Sequence, residues 1–438
     1  MTNRPMSRLN SGRLSRMSQL GRLAGGMAGS IVTEGVRRWR RGESWDLQQQ
    51  ALTPANLSRL SNRLSQMRGA AMKLGQLLSM DAGHLMPPEL AQLLARLRND
   101  AHSMPLSQLE PVLTQAWGKN WHREFKLFSY QPLASASIGQ VHKAVTKNGQ
   151  CLAIKVQYPG VIQSIESDLD NVAALLRWSR LLPEKLDIGS LLKEAKAQLT
   201  LETDYQHEAE QLETFKQLLS ETNHFILPEV NYELSKSNIL AMSFLQGSPI
   251  EQLENSYPEE RQRWVRALFE LFFRELFEFK HVQTDPNYAN FLIDSETQRL
   301  GLIDFGAAHR YPEPITIAYR DLLKAALSKD EPAICHAAHL LGYFASDTTA
   351  NQKASVIQLF YLATEPLTQP GLYDFGASNL PDRLREASLK LSFEQNYWHA
   401  PPIEALLLHR KLAGLFLLAQ RLGVKLDITA IAEPYLEY

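Results

Sequence analysis

Three polar residues constrain this chain more than any others: Asp285, Asn290 and Asp304. Asn290 follows Asp285 at the fifth position, and Asp304 opens Asp304-Phe305-Gly306 behind the apolar stretch Gly301-Leu302-Ile303. Taken singly, Asp285-Pro286-Asn287 and Asp304-Phe305-Gly306 read as turns. In this order and spacing they read as two halves of a phosphoryl-transfer site. That chemistry needs one carboxylate to orient a nucleophile. It also needs oxygen ligands, an amide and a second carboxylate, to hold magnesium on nucleotide phosphates. Asp285 fits the first role, Asn290 and Asp304 the second, provided that a nucleotide-binding half lies upstream.

Residues 124–157 supply a candidate for that half. Phe125–Tyr130, Gly139–Val145 and Cys151–Gln157 read as strands, and Lys147-Asn148-Gly149 as a hairpin turn between the last two. The third strand carries Lys155 amid apolar neighbours, a position expensive to bury unless it meets an anion. In kinases a lysine so placed binds the nucleotide's α and β phosphates and pairs with a helix glutamate. The loop between the first two strands, with Ala134, Ser135, Ala136, Ser137, Ile138, Gly139, Gln140 and Val141, is expected to offer backbone N–H groups and hydroxyls to phosphates. It holds a single glycine, so it should be stiffer than a Gly-rich phosphate loop. Residues 161–222 read as two long helices broken at Pro183. Glu202 and Asp204 lie on the second, too close in sequence to share a face, so they should serve different partners, with Lys155 the natural one for Glu202. Ile226–Asn231 and Ser237–Phe244 read as further strands, and Met242, Ser243, Phe244 and Leu245 as a hinge gripping adenine. From Pro258 onward the chain reads as almost wholly helical. Leu268, Leu271, Phe272, Leu276 and Phe279 form one apolar helix leading directly into the loop at Asp285.

Charge divides unevenly. Residues 1–42 hold nine arginines and one acid, about +8, so the remainder carries about −9 to give the net −1 of the 438-residue chain. Such an end suits an anionic lipid surface, a solvated tail or a mitochondrial transit peptide. Gly21, Gly25 and Gly29 at four-residue intervals suit either a close helix contact or a flexible segment. The two cysteines, Cys151 and Cys335, form no metal spacing or disulfide framework, which favours a reducing compartment. No stretch is long and apolar enough to span a bilayer; the run Leu406–Leu418 is broken by His409, Arg410 and Lys411. Thr53-Pro54 opens a helix in which Leu57, Leu60, Leu64, Met67 and Leu74 recur at helical spacing; it ends near Asp81 and contains Lys73-Leu74-Gly75-Gln76. Four segments are expected: a basic N-terminal segment (1–50), a helical extension (51–118), a sheet-bearing lobe (119–246) with an inserted helical pair (161–222), and a helical lobe (247–438).

Taken together, Lys73-Leu74-Gly75-Gln76, Ala134–Val141, Ala153-Ile154-Lys155, Glu202-Thr203-Asp204, Gln283-Thr284-Asp285 with Asn290, and Asp304-Phe305-Gly306 resemble the UbiB/ADCK (AarF) family of atypical kinase-like proteins. The wording around Asp285 is nearest to its coenzyme-Q-associated branch. The resemblance implies an α+β, protein-kinase-like bilobal fold with a helical N-terminal extension and a helical insertion in the N-lobe. It implies ATP and Mg2+ as cofactors and ATPase or small-molecule kinase activity in ubiquinone biosynthesis. It places Lys73 and Gln76 in the cleft where a kinase admits peptide, and gives Asp204 a part in ordering the extension. The partners implied are a lipid or quinone precursor, an anionic membrane surface, quinone-biosynthesis proteins and a second copy of the chain; nucleic acid is not among them. The setting implied is the cytoplasmic periphery of a bacterial inner membrane, with a mitochondrion as the alternative.

Two departures argue against a conventional protein kinase. Thr284 stands where the usual motif has arginine, and no Ala-Pro-Glu follows Asp304, since Tyr311-Pro312-Glu313-Pro314 opens a turn instead. A nucleotide-gated scaffold would keep Lys155 and Asp304 without needing Asp285. A true protein kinase would phosphorylate a partner in trans once the extension was removed. Residues 315–438 offer no motif with readable chemistry.

Overall fold

The computed structural model of the protein describes residues 104–136, 138–178, 188–399 and 401–437. Lys73, Gln76, Ser137 and the Arg-rich N-terminal segment lie outside the described residues. The chain divides into two compact units. One takes the chain up to His207 with Glu229–Phe244, and the other takes Glu208–Pro228 with Leu245–Tyr438.

Helix α1 (Leu106–Trp117) opens the first unit, stopped by Gly118 at φ +86°. Strands β1 (Phe125–Phe128), β2 (Ala134–Ser135), β3 (Gly139–Thr146) and β4 (Cys151–Gln157) follow, then helices α2 (Val161–Trp178) and α3 (Ile188–Glu202). Helix α4 (Tyr205–Leu218) and strand β5 (Phe225–Ile226) belong largely to the second unit, and β6 (Ile239–Ser243) returns to the first. Burial alternates along β3, as a sheet with one packed face requires, and is nearly continuous along β4, which is central. The strand order is β1-β3-β4-β6 with β2 on β3, and every pairing is antiparallel. Leu109, Leu113, Trp121, Phe125, Ile154 and Val156 form the core beneath it. Gly139 is obligatory, because a Cβ there would stand 2.4 Å from the Val156 carbonyl oxygen.

The second unit continues with β7 (Ser248–Pro249), α5 (Pro258–Phe273), β8 (His281–Gln283), β9 (Phe291–Asp294), β10 (Arg299–Leu302) and β11 (Ala308–Arg310). Helices α6 (Glu313–Ser328), α7 (Glu331–Leu340), α8 (Ala350–Ala363) and α9 (Glu365–Thr368) follow. Then come β12 (Tyr373–Asp374), α10 (Leu380–Leu389), α11 (Ile403–Arg421), β13 (Lys425–Leu426) and α12 (Ile428–Leu436). Small sheets interrupt the helices: β5-β10-β9-β7, β11-β8 and β12-β13. Pro258 at the first position of α5 and Glu259 and Glu260 in its first turn fit the empty donors of a helix start.

Several local expectations are corrected. Among the described residues, 161–222 holds three helices rather than two, because α3 gives way to α4 at Thr203-Asp204. Asp204 does not ride a helix face: its Oδ1 accepts from the Gln206 and His207 N–H groups and caps α4. The apolar helix leading to Asp285 ends at Phe273 and passes through a π turn, Arg274–Glu278. Ile226–Asn231 is a strand only at β5; Val230 then makes a single bridge to Met242.

One close approach in the second unit bears directly on Asp285. A Cβ on Gly414, in α11, would lie 2.1 Å from Cβ of Pro286. Gly414→Ala should therefore lower unfolding stability by about 1–3 kcal/mol through overpacking. Leu412→Ala, at a half-exposed site on the same helix, should cost less than about 1 kcal/mol. Urea denaturation of both variants checks the contrast.

Candidate active site

Two ladders in the second unit bring the acids and the amide together. In the first, β8 pairs with β11, and Thr284 extends it by donating its N–H and its hydroxyl to the Ala307 carbonyl. In the second, β9 pairs with β10, Phe291 opposite Leu302, and the Ile303 N–H donates to the Asn290 carbonyl. The loop 284–290 and the segment 303–307 are thus tied at both ends. Thr284, where a conventional kinase motif has arginine, is buried and spent on this backbone tie.

Within the loop, the Asn290 amide nitrogen donates to Oδ2 of Asp285 at 3.2 Å. This leaves the amide oxygen as the atom suited to a cation. Oδ1 of Asp304 accepts from the Gly306 N–H at 3.0 Å, and the Asp304 carbonyl accepts from Nε2 of Gln283 at 3.2 Å. Phe305 is buried against Phe215 of α4, ring centroids 4.6 Å apart, which fixes Asp304-Phe305-Gly306 from behind. Glu208, nearly fully buried at the start of α4, lies against Gly306; a Cβ on that glycine would be 3.5 Å from its Oε2.

A row of charges from α11 underlies the loop. Nη2 of Arg410 donates to Oδ1 of Asp285 at 3.0 Å. Nζ of Lys411 donates to Oε1 of Gln283 at 3.2 Å and stands 3.4 Å from Oε2 of Glu275. The Tyr288 hydroxyl donates to the Gly414 carbonyl. Glu275 is carried inward by the π turn, a local widening of the helix often found at functional sites. Full burial pushes its carboxyl up to about 7, against the downward pull of the Lys411 ammonium and of a hydrogen bond from the Gln283 backbone.

In the first unit, Lys155 lies on β4 opposite Val141 and Leu240, only 8% exposed, with its ammonium 5.3 Å from the Tyr205 ring centroid. Glu202 ends α3. Gln157, two residues along β4 from Lys155, donates to the Thr203 carbonyl at 2.6 Å and ties the strand to the junction after Glu202. Ala134 and Ser135 form β2, and the Ala136 N–H donates to the Gly139 carbonyl, closing a tight hairpin that ends with Ile138 and Gly139 buried. Ser135 Oγ is buried with no hydrogen-bond partner among the described residues, a donor that an anion would satisfy. Gln140, fully buried, accepts the Met104 N–H and bonds His142. Met242 and Ser243 lie on β6, the Phe244 N–H donates to the Cys151 carbonyl, and Leu245 begins the second unit's run.

Arg410, Lys411, Glu275 and Gly414 were not legible as site residues. The signal was present, since two cations interrupt an otherwise apolar helix. Their partners lie 125 and 128 positions away and leave no local pattern.

An antiparallel sheet bearing a buried lysine, with an Asp–Asn loop tied to an Asp-Phe-Gly turn in a helical unit, is the architecture of a protein-kinase-like protein. The ABC1 atypical kinase-like domain matches residues 96–338, more than half of the chain. The atypical kinase COQ8, mitochondrial, of Saccharomyces cerevisiae is 34% identical over 99% of this chain and 86% of its own length. The atypical kinase COQ8B, mitochondrial, of Rattus norvegicus is 36% identical over 94% of this chain and 78% of its own. A solved complex of Rv3197 with erythromycin from Mycobacterium tuberculosis shares the fold. Its TM-score is 0.57 at 24% identity, covering 86% of this chain and 94% of that one. The chain belongs to the ABC1 (UbiB/ADCK) family of atypical kinases, in its coenzyme-Q-associated branch.

The raised Glu275 carboxyl sets a pH dependence. Its folded value of about 7 exceeds the ordinary 4.5, so between the two the folded protein holds the extra proton. Its contribution is fully present below about 4.5 and lost as pH rises through about 7, a change on the order of 3 kcal/mol. The stability of wild type minus that of Glu275→Gln should therefore fall between pH 5 and 8 in denaturant titrations. A difference independent of pH would contradict this burial.

Proposed function

We propose that this atypical kinase is a magnesium-dependent ATPase or small-molecule kinase supporting coenzyme Q biosynthesis at a membrane surface. The observation that carries the reading is the tying of Asp285, Asn290 and Asp304 into one constellation by the two ladders. The donor set fits the group it is proposed to hold. An amide oxygen and a carboxylate suit magnesium, which keeps part of its water shell and takes the rest from phosphate oxygens. The cation, when bound, neutralises charge on the phosphates.

In this reading Asn290 and Asp304 bind the metal, and Asp285 orients the attacking oxygen. Lys155 takes the α and β phosphates with Glu202 as its ion-pair partner, and Ala134–Val141 cover the phosphates, with Ser135 contributing a hydroxyl. Met242–Leu245 receive the base. The family resemblance assigns Lys73 and Gln76 to the acceptor side, and Asp204 acts through the start of α4 that it caps. The names of the relatives support the kinase class, and their mitochondrial designation supports that setting. The membrane reading rests on the arginines of residues 1–42, since no described helix is long and apolar enough to cross a bilayer.

MgATP in hundredfold excess over its Kd should stabilise wild type by about 2.7 kcal/mol, read as a shift of several degrees in Tm. Asp304→Asn should lose the magnesium-dependent part of that shift. Asp285→Asn should keep the shift and lose ATP turnover by about 100-fold or more, as measured by phosphate release. An unchanged Tm with MgATP would count against the reading, and unchanged turnover in Asp285→Asn would favour a scaffold. Cosedimentation with anionic but not neutral vesicles, weakened by salt, is expected of the full chain.

A further inference from the structure

The function proposed above leaves Arg410 without a role, although it is the cation that touches the residue on which turnover depends. We propose that Arg410 is a positioning residue that fixes the Asp285 carboxylate for reaction, so that helix α11 sets the geometry of the catalytic loop. The inference rests on the reading of Asp285 as the group that orients the nucleophile.

Each oxygen of Asp285 has its own donor. Oδ1 accepts from Arg410 and Oδ2 from Asn290. The two contacts come from separate parts of the chain, one from five positions on within the loop and one from a helix 125 positions later. With one donor per oxygen the plane of the carboxylate is set, and each oxygen keeps lone-pair capacity for a nucleophile's proton. Asn290 alone would leave the carboxylate free to turn about its terminal bond, a broad torsion.

Arg410 is itself immobilised. It is 5% exposed, against 21% for Asp285, so the guanidinium is the deeply held partner and the carboxylate the accessible one. Its helix is pinned to the same loop at two further points, Gly414 against Pro286 and the Tyr288 hydroxyl on the Gly414 carbonyl, and to the end of β8 by Lys411 on Gln283. Lysine would supply the charge but not the planar fork. A buried guanidinium left without its carboxylate is strongly unfavourable, so the pair resists the rotation that would take Asp285 away from the nucleophile. A donor in this position also answers the substitution at Thr284. The loop residue that is arginine in conventional kinases is here a threonine spent on the backbone, and the guanidinium on the loop comes from α11.

A double-mutant cycle on the full chain tests this. ATP turnover and MgATP affinity are measured for wild type, Arg410→Gln, Asp285→Asn and the double variant, with Tm recorded for each. Arg410→Gln should lower kcat about 10- to 100-fold, the scale of a misoriented catalytic group, with MgATP affinity within about twofold of wild type. In the Asp285→Asn background the same change should cost less than about twofold, because nothing remains to position. Arg410→Lys should restore kcat in part, and it carries the same cycle if Arg410→Gln does not fold. Multiplying losses would overturn the proposal while leaving the proposed role of Asp285 intact, as would a loss confined to affinity or an unchanged kcat in Arg410→Gln. If Asp285→Asn alone turned over ATP like wild type, both readings would fall together.

Discussion

Two cations buried in one helix are paired with the segment around Asp285. Removing a charge from water costs several kcal/mol unless a partner meets it with good geometry, and Arg410 and Lys411 are both nearly inaccessible. Each is met: Arg410 by Asp285, Lys411 by Glu275 and Gln283. Because adjacent helical residues point in different directions, one helix reaches two parts of the same segment. The need to pair these charges couples α11 to the loop more strongly than apolar packing alone would. Gly414 then permits the backbone approach that makes the pairing geometrically possible.

The coupling extends beyond Asp285. From Glu275 in the π turn, contacts run through Lys411 to Gln283 and from Gln283 to the Asp304 carbonyl. Asp285 and, by way of Gln283, Asp304 are thus supported by neighbouring residues of one helix. A site of this kind needs its side chains held close to productive geometry by groups that are themselves fixed. Burial does this for Lys411 and Glu275, and the backbone ladders do it for the turns on either side.

Part of the fold is legible in the sequence. An apolar run between a turn and Pro159 leaves little choice of bounds for β4, which matches the expected Cys151–Gln157, whereas β3 runs one residue past the expected Gly139–Val145. The order of Asp285, Asn290 and Asp304 points to these loops because phosphoryl transfer calls for those residue types. Other features leave no local trace. The break at Thr203-Asp204 has neither proline nor glycine, and only the cap formed by Asp204 reveals it. The π turn lies within the expected apolar helix, and nothing in the local pattern sets Glu275 apart. His409, Arg410 and Lys411 were seen only as interruptions of an apolar run. Their meaning lies in partners far away in the chain, which a single sequence does not supply.

In the proposed function the loops at Asp285 and Asp304 together hold a magnesium-bound nucleotide. Amide hydrogen exchange of the full chain, with AMP-PNP in magnesium and with AMP-PNP in EDTA, tests this. Slowed exchange is expected across residues 284–291 and 304–308 in magnesium only. Unchanged exchange at both loops, or equal slowing in EDTA, would contradict it.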